Sequence, residues 1–447
     1  MRTEGRRHGT ARLALGLAAL VSVGAGPAGA QTTDFCGCAG SPSLGAFVSG
    51  DAATHPPGTV RNTGWFGSGN HGIRIPLPPD GVLVFDSFTV QYFPGYGAGH
   101  YTHVFFEPNA ANTPVTLLVK GDVTIAGYGR LRVSGWSGGA GSAGTAGRPG
   151  AGGPGGFAGG QGAYQLVNFA NRGGNGIGPG GGFGATVDPL ALASGGTFVG
   201  VPELRPLLGG SGGGGGRSID GTAGASGGGG GGGGGAILIA ANGTIDIQSG
   251  GQILADGGAG GGRYVDLSSA GAGGSGGAVR LLAHRIQGGG AIYARGGDPG
   301  NADSLGANAG LPGRIRMEAI SNTFAADNTS PVASNAQAPG PLVNPITPTV
   351  RITGIDGAAT PPNPIGFQNA VDMILDAPGV IQVDLATTDV PAGTGVEVTV
   401  KPKVGAAPTS QNVTLASCAS GACTAAASFD LAAGAYIVEA RATFQTP

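Results

Sequence analysis

The chain has 447 residues and a net charge of −2, which excludes the strongly basic surface of a nucleic-acid-binding protein. Glycine accounts for 97 residues and proline for 31, while only 11% of the chain is charged and 40% is hydrophobic. Ordinary disordered tails are highly charged and poor in hydrophobic residues, so this composition favours a regular glycine-rich structure.

The first thirty residues have the three parts of a secretory signal peptide. Four arginines precede an apolar run at 13–24, which is too short to span a bilayer, and small residues at 28–30 suit a cleavage site. We expect residues 1–30 to be removed, the mature chain to start near Gln31, and the protein to be secreted or exposed at the cell surface. No later run has the length and apolarity of a transmembrane helix, so no transmembrane segment is expected after signal removal.

An N-terminal β region is predicted at 31–134. Runs rich in valine, isoleucine, leucine and phenylalanine alternate there with Gly, Pro and Asn, the pattern of short strands separated by turns. The predicted strands are 82–85, 88–90, 104–106, 115–119, 123–125 and 131–133.

A glycine-rich repeat region is predicted at 135–320. Glycine occupies every third position from 135 to 162, and a second tract at 209–235 keeps the same period with one exception. Three residues per turn is the period of the extended polyproline II helix, in which one residue per turn lies on the same side. We expect the two tracts to pack side by side as an out-and-back pair, joined by backbone hydrogen bonds. Flexible glycine linkers are the alternative.

A second repeat, of about forty residues, is superimposed on the glycine pattern. The segment 234–240 aligns with 276–282 and more loosely with 313–317, which indicates stacked units that bury their apolar faces together. A parallel β-solenoid with glycine-rich arms at one corner is the simplest arrangement. Asn242-Gly243 is also a strong hairpin signal, so antiparallel hairpin repeats remain the rival topology.

The last part of the chain predicts a linker at 321–347 and an immunoglobulin-like β-sandwich at 348–447. Alternation of apolar and polar residues around 381–385 and 396–400, with turn residues between, supports the sandwich. The predicted fold class is therefore all-β, with solenoid-like glycine-rich repeats, polyglycine or polyproline II arms and a C-terminal sandwich.

Four cysteines suit an oxidising compartment. Cys418 and Cys423 bracket a short turn and are the disulfide candidate. Cys36 and Cys38 are separated by one glycine, and their pairing stays open.

The glycine tracts resemble the polyglycine II bundles of snow-flea antifreeze proteins and of some phage tail-tip adhesins, on period and composition alone. The run 113–127 and the later Gly-Gly-Ala units are similar to a group of secreted glycine-rich bacterial proteins, over residues 82–320. This resemblance implies an extracellular or surface setting and assigns no binding residue.

No catalytic, cofactor-binding or metal site is predicted. The His100 to His103 segment lies in a loop with only Glu107 as a further ligand candidate, and no glycine motif has a nucleotide-binding context. A structural or adhesive protein is therefore the favoured function and an enzyme is not expected. The alternatives are a polysaccharide-active β-helix enzyme, either lyase or hydrolase, and an ice- or calcium-binding protein. The enzyme alternative would have to use charged residues on the predicted rungs: Asp122, Asp246, Asp256, Arg280, Arg295 and Arg314.

Aromatic side chains near the glycine tracts are the candidate binding residues, because rings exposed on a polar backbone surface suit carbohydrate or protein contacts. They are Trp136, Phe157, Tyr164 and Phe183. The expected partner is an extracellular glycan or protein, and no nucleic acid.

Overall fold

The protein is all-β. A computed structural model describes residues 34–63, 70–92, 100–164, 171–188, 191–218, 224–264, 268–300, 307–343, 348–361, 366–368, 370–403 and 407–443. Within these ranges the chain forms strands, three short 3-10 turns (Ala52–Thr54, Ala326–Asn328 and Gly366–Gln368) and no α-helix. The predicted signal peptide lies outside the described residues.

The strands before residue 340 build two sheets. They are β1 (Ala46–Val48), β2 (Val60–Thr63), β3 (His71–Pro76), β4 (Val82–Phe85), β5 (Ser87–Val90), β6 (Thr102–Glu107), β7 (Val115–Val119), β8 (Val123–Ile125), β9 (Gly129–Arg132), β10 (Ala236–Ile247), β11 (Gln252–Leu254), β12 (Ala278–Gln287), β13 (Ala291–Tyr293), β14 (Arg314–Asn322), β15 (Thr329–Ser330) and β16 (Ser334–Ala336). Every strand expected in the N-terminal β region is present.

Pairing within both sheets is parallel, except between β2 and β3. The first sheet has the order β1-β5-β8-β10-β12-β14-β16, with β7 beside β10 and β4 beside β7, and the second has the order β15-β13-β11-β9-β6-β3-β2. One face of each sheet is buried, because side chains alternate between the two faces of a strand. Leu117, Ile239 and Leu281 are in register in the first sheet, and they share a buried core with Leu131 and Ile253 of the second.

The forty-residue repeat corresponds to this parallel register. Ala236 pairs with Ala278, and Ala278 pairs with Arg314, as the sequence alignment requires. Asn242-Gly243, the signal for the rival hairpin, lies inside β10 instead. The strand continues there through a register shift between Ala241 and Thr244. The repeat units therefore pair in parallel, and the rival topology of antiparallel hairpins is wrong.

Glycine-rich excursions leave the second sheet after β9, β11 and β13 and return to the first sheet at β10, β12 and β14. Within them, extended segments lie side by side and exchange backbone hydrogen bonds. The prediction that the tract 135–164 runs straight is wrong. Gly144 and Gly155 adopt positive φ, where glycine alone is unstrained, and the chain reverses, so Gly139 N–H donates to Arg148 O and Gly162 N–H to Gly147 O. In place of one member of the predicted out-and-back pair, this tract forms several shorter segments that lie side by side.

Residues 227–235, called the central segment below, are the most completely bonded part of the excursions. All nine are glycine, and each N–H donates to a carbonyl of another segment. Every third N–H donates to the same neighbouring segment. The acceptor carbonyls in the three segments are those of Ala163, Gly160 and Phe157; of Ser269, Ala272 and Ser275; and of Gly139, Trp136 and Val133. Its carbonyls accept from three further directions, from Gly147 to Gly153, from Gly210 to Gly216, and from Gly258 and Gly261. Six neighbours therefore surround this one segment.

The C-terminal strands form two antiparallel sheets around one core. They are β17 (Thr349–Ile355), β18 (Ala358–Ala359), β19 (Met373–Leu375), β20 (Gly379–Thr388), β21 (Gly395–Pro402), β22 (Thr409–Thr414), β23 (Ser417–Ala419), β24 (Ala422–Leu431) and β25 (Gly434–Ala442). One sheet has the order β18-β17-β20-β24-β23 and the other β19-β25-β21-β22. Buried Val383, Val398 and Phe429 pack between them.

The structure corrects the predicted linker and gives the pairing of the four cysteines. The predicted linker 321–347 contains β15 and β16, which extend the two parallel sheets; these strands are too short to show a period. Cys418 and Cys423 face each other across the β23–β24 hairpin and are disulfide-bonded, with their Cα atoms 4.0 Å apart. Cys36 is bonded to Cys38.

Replacing Gly232 in the central segment by alanine is expected to lower the free energy of unfolding by more than about 2 kcal/mol. A Cβ there would overlap the carbonyl oxygen of Ala151. Gly289→Ala is the matched control, because its Cβ would meet nothing closer than Ser249 Cβ at 3.9 Å. Chemical denaturation of the full chain measures both variants, and equal stabilities would contradict the close backbone packing.

Candidate functional site

The outer side of the second sheet carries a row of arginines and aromatic rings. Val104, Leu131 and Ile253 point into the core, so the residues next to them point outward. Arg74, Phe105 and Arg132 are in register on adjacent strands, followed by Leu254 and Tyr293. His103 and Arg130 form a second row beside them, in which His103 is covered and only 1% exposed. We call this surface, from Arg74 to Arg295, the basic face.

Ion pairs and ring contacts order the side chains of the basic face. Arg74 Nε lies 3.6 Å from Glu107 Oε2. Arg295 binds both carboxylate oxygens of Asp256, at 3.1 and 2.8 Å, and its guanidinium lies 4.2 Å from the centroid of the Tyr293 ring. With Arg130 and Arg132, the described residues of this face include more arginines than carboxylates.

The centre of the basic face is desolvated and positive. Arg130 stacks over the Tyr101 ring with its Cζ 3.4 Å from the centroid. Burial lowers the pKa of Arg132 and the neighbouring charge of Arg130 lowers it further, while the carboxylate of Asp256 opposes both. Burial, Arg132 and Arg130 together lower the pKa of His103 to about 3. His103 is thus a neutral imidazole at physiological pH, and an anion placed here would relieve repulsion between the two guanidinium groups.

The four aromatic candidates do not converge on one site. Trp136 is 51% exposed and meets Phe105 edge-on, 6.5 Å between centroids, so it borders the basic face. Phe157 is partly buried and packs on Ala158, Ile177 and Ile437.

The other two rings lie farther along the same glycine-rich excursion. Tyr164 pairs with Ser226 through an isolated bridge. Phe183, 64% exposed, has its N–H bonded to Ser194 Oγ. Of the four candidates, Trp136 is the one shown to border a charged surface, the basic face.

Arg280, one of the charged residues on the predicted rungs, is buried. Its side chain is 1% exposed and that of Glu318 is 2% exposed. Arg280 Nε and Nη2 donate to the two carboxylate oxygens of Glu318 at 2.9 and 3.3 Å, and its remaining donors bond the carbonyls of Pro341 and Leu342. Burial opposes ionisation of Glu318, but hydrogen bonds from Arg280, Gly340 N–H and Arg316 outweigh it and lower its pKa.

The other charged candidates for catalysis are also accounted for. Asp122 accepts a hydrogen bond from Thr244 N–H, and Asp246 accepts one from Gln248. Asp256 and Arg295 bind each other on the basic face, while Arg314 is exposed at the start of β14. These groups do not converge on one sugar bond.

A cavity of about 910 Å³ separates the glycine-rich excursions from the C-terminal sheets. Arg351, Asp356, Asp372, Glu439 and Arg441 are the charged residues of its lining, and the last three are already engaged. Glu439 binds Lys401 at 2.7 Å and accepts from Gly178 N–H, while Arg441 donates to Pro179 O. Burial raises the pKa of Asp372, Val438 N–H opposes this, and the charge of Glu439 raises it further. The cavity therefore offers mainly apolar surface for recognition.

One grouping of potential metal ligands occurs in the described part of the chain, Asp34 with Cys36 and Cys38. The two sulfurs are bonded to each other, and Asp34 accepts from the N–H groups of Cys38 and Ala39. The group therefore acts as a closed turn. His100 and His103 do not form such a cluster with Glu107.

Sequence reasoning missed Arg74, Phe105, Arg130 and Arg132. A signal was present in the Gly-Arg-Leu-Arg sequence of β9, in which the leucine between two arginines marks one buried and one outward face. The predicted strand at 131–133 was displaced by two residues at its start, and no register connected it to β3 and β6.

Arg280→Met is expected to destabilise the protein by about 3 to 5 kcal/mol, because it leaves Glu318 buried without its main partner. The double variant R280M/E318L is expected to recover most of this loss. Arg285→Met, at an exposed position of the same strand, serves as the control. Denaturant titrations measure all three, and a harmless R280M would contradict the buried pair.

Stability is expected to fall as the pH drops from about 6.5 to 3. The folded state keeps His103 neutral, whereas an unfolded histidine takes up a proton near pH 6.5, so protonation favours unfolding in that window. His103→Asn should reduce the loss of unfolding free energy between pH 7 and 4 by about 1 to 3 kcal/mol. Denaturation at both pH values, with exposed His284→Asn as control, checks this; an unchanged pH dependence would contradict it.

In the ranges that the structure covers, no helix is long and apolar enough to cross a membrane. Comparison of the chain with protein-family models, with curated proteins and with solved structures finds no match.

Proposed function

We propose that the protein is a secreted or cell-surface structural or adhesive protein. In this proposal, the parallel rungs are a β-solenoid, the glycine excursions are a polyglycine II-like bundle, and the C-terminal sheets are an immunoglobulin-like sandwich. The bonding of the central segment is the observation that carries it. Nine consecutive amides bonded to other segments hold the backbone from every side, which suits a stiff body that displays surfaces rather than one that moves during a reaction.

The period of the backbone bonds supports the polyglycine II interpretation. Partners of the central segment repeat every third residue in each direction, as expected for a helix with three residues per turn. Peptide groups bonded between segments in this way need no water. The body is then stabilised by its backbone, with few side chains to titrate or to be modified.

The strand order supports the immunoglobulin-like assignment of the C-terminal domain. Strands β17, β20, β24 and β23 are adjacent in that order, which corresponds to the A-B-E-D sheet of such folds, and β21 and β25 occupy the places of strands C and F. Modules of this type commonly space or bind other components. Both disulfides suit the oxidising compartment that the predicted signal peptide implies.

A polysaccharide-active enzyme is the second candidate, because Glu107 and Asp256 lie on a parallel sheet surface beside arginines. Its test is product formation by the full chain. Multiple turnovers that release reducing ends or unsaturated sugars from an acidic polysaccharide would replace the adhesive proposal. Ice and calcium binding have no comparable supporting observation.

Amide hydrogen exchange tests the stiff body. In the intact protein, residues 227–235 are expected to exchange among the slowest amides, because opening any one of them disturbs several segments. The exposed edge strand β22 is the internal control and should exchange faster. Rapid exchange of 227–235 would remove the basis of the proposal.

Binding to cells tests the adhesive role on the same preparation. Full-length protein is expected to bind cell surfaces or extracellular matrix, and removal of exposed rings in W136A/F183A should weaken this binding. If the amides of 227–235 exchange slowly but the protein binds no surface, the structural role stands and the adhesive role is rejected.

A further inference from the structure

We propose that the basic face binds an extended acidic polysaccharide, with uronate carboxylates at Arg74, Arg130 and Arg132 and sugar rings against Phe105 and Trp136. This inference rests on the adhesive function proposed above and names the chemical class of its ligand. The face combines more arginines than carboxylates, the half-exposed ring of Trp136 and a linear order of its side chains across the strands.

Charge is the first argument. Four arginines, Arg74, Arg130, Arg132 and Arg295, lie on the described face against Glu107 and Asp256, and Asp256 attracts Arg132 as well as Arg295. The face therefore carries more positive than negative charge. The connecting segments 64–69 and 93–99 contain no Asp or Glu in their sequences. A carboxylate ligand would form charge-assisted, bidentate hydrogen bonds with such guanidinium groups.

Geometry is the second argument. Arg74 and Arg132 are separated by one strand, β6, which carries Phe105 between them. Neighbouring strands lie about 4.8 Å apart, so the two arginines repeat at roughly the length of two sugar units in an extended chain. A polymer that crosses the strands would therefore meet Arg74, the Phe105 ring and Arg132 in turn.

The shape of the surface favours a polymer over a small molecule. The cavity beside Phe105, Arg132 and Trp136 has a volume of only about 30 Å³, too small to enclose a sugar. Trp136 is half exposed and the Arg74 side chain is 36% exposed, so contacts would form along an open face. Aromatic rings offer the apolar faces of sugars a flat contact surface.

The overall charge favours a glycan over a nucleic acid. The chain carries a net charge of −2, and nucleic-acid binding usually requires a broad excess of positive charge. A few arginines spaced along a row suit a polymer with one carboxylate per sugar or per disaccharide. We therefore commit to polyuronate chemistry.

Binding of the full chain to immobilised polygalacturonate provides the test. Wild-type protein is expected to bind this polymer, to bind dextran or fully methyl-esterified polygalacturonate at least tenfold more weakly, and to be released by salt. R130Q/R132Q should bind about tenfold or more weakly than wild type, because charge-assisted hydrogen bonds are lost. R285Q/R314Q removes the same charge at exposed positions elsewhere and should bind within twofold of wild type.

The esterified polymer keeps the test decisive if R130Q/R132Q fails to fold, because it removes the ligand's charge and leaves the protein unchanged. The proposal is overturned if wild type binds both polymers equally, if it binds neither, if the two double variants bind alike, or if it prefers a single-stranded oligonucleotide. Failure to bind polygalacturonate, with slow exchange at 227–235 and cell binding intact, removes only this inference. Fast exchange at 227–235 removes the adhesive scaffold instead.

Discussion

Contact between backbones without intervening side chains is the constraint on which the rest of this structure depends. A segment with three residues per turn presents each residue to a different side. A segment with a neighbour on one side therefore needs glycine at every third position, whereas one enclosed on all sides needs it everywhere. The tract at 135–162 keeps the first pattern, and the central segment, with six neighbours, is glycine throughout. The fraction of glycine in a segment thus rises with the number of other segments that pack against it.

The parallel sheets fix where each excursion begins and ends. Gly235 N–H donates to Val133 O, Gly277 N–H to Ala255 O and Gly313 N–H to Ala294 O, so each excursion closes on the residue at which it left the second sheet. Its ends are held by adjacent strands, and the entropy of closing a loop rises only slowly with its length. The excursions can therefore differ greatly in length while the rungs remain in register.

The sequence predicted features that depend on local periods. Apolar runs located the strands before residue 134, and the alignment of 236 with 278 gave the register that the sheets adopt. The period of three did not reveal that the tract 135–164 reverses at Gly144 and Gly155, because turn glycines are hidden among the others. Burial of Arg280 depends on Pro341 and Leu342, distant in sequence. The basic face joins strands of separate rungs, which no local pattern connects.

Few positions of such a body are available for recognition. The interior of the glycine-rich excursions consists of peptide groups that are already bonded to one another. The middle of the first sheet's outer side is covered, since Leu118, Leu238 and Leu282 pack there against Cys36 and Cys38, whereas Arg285 in β12 and Arg314 at the start of β14 are exposed. On the second sheet's outer side, arginines and an aromatic ring lie in register on neighbouring strands. A body built largely from backbone thus carries its chemistry on the parts of the sheet surfaces that the backbone bonds do not use.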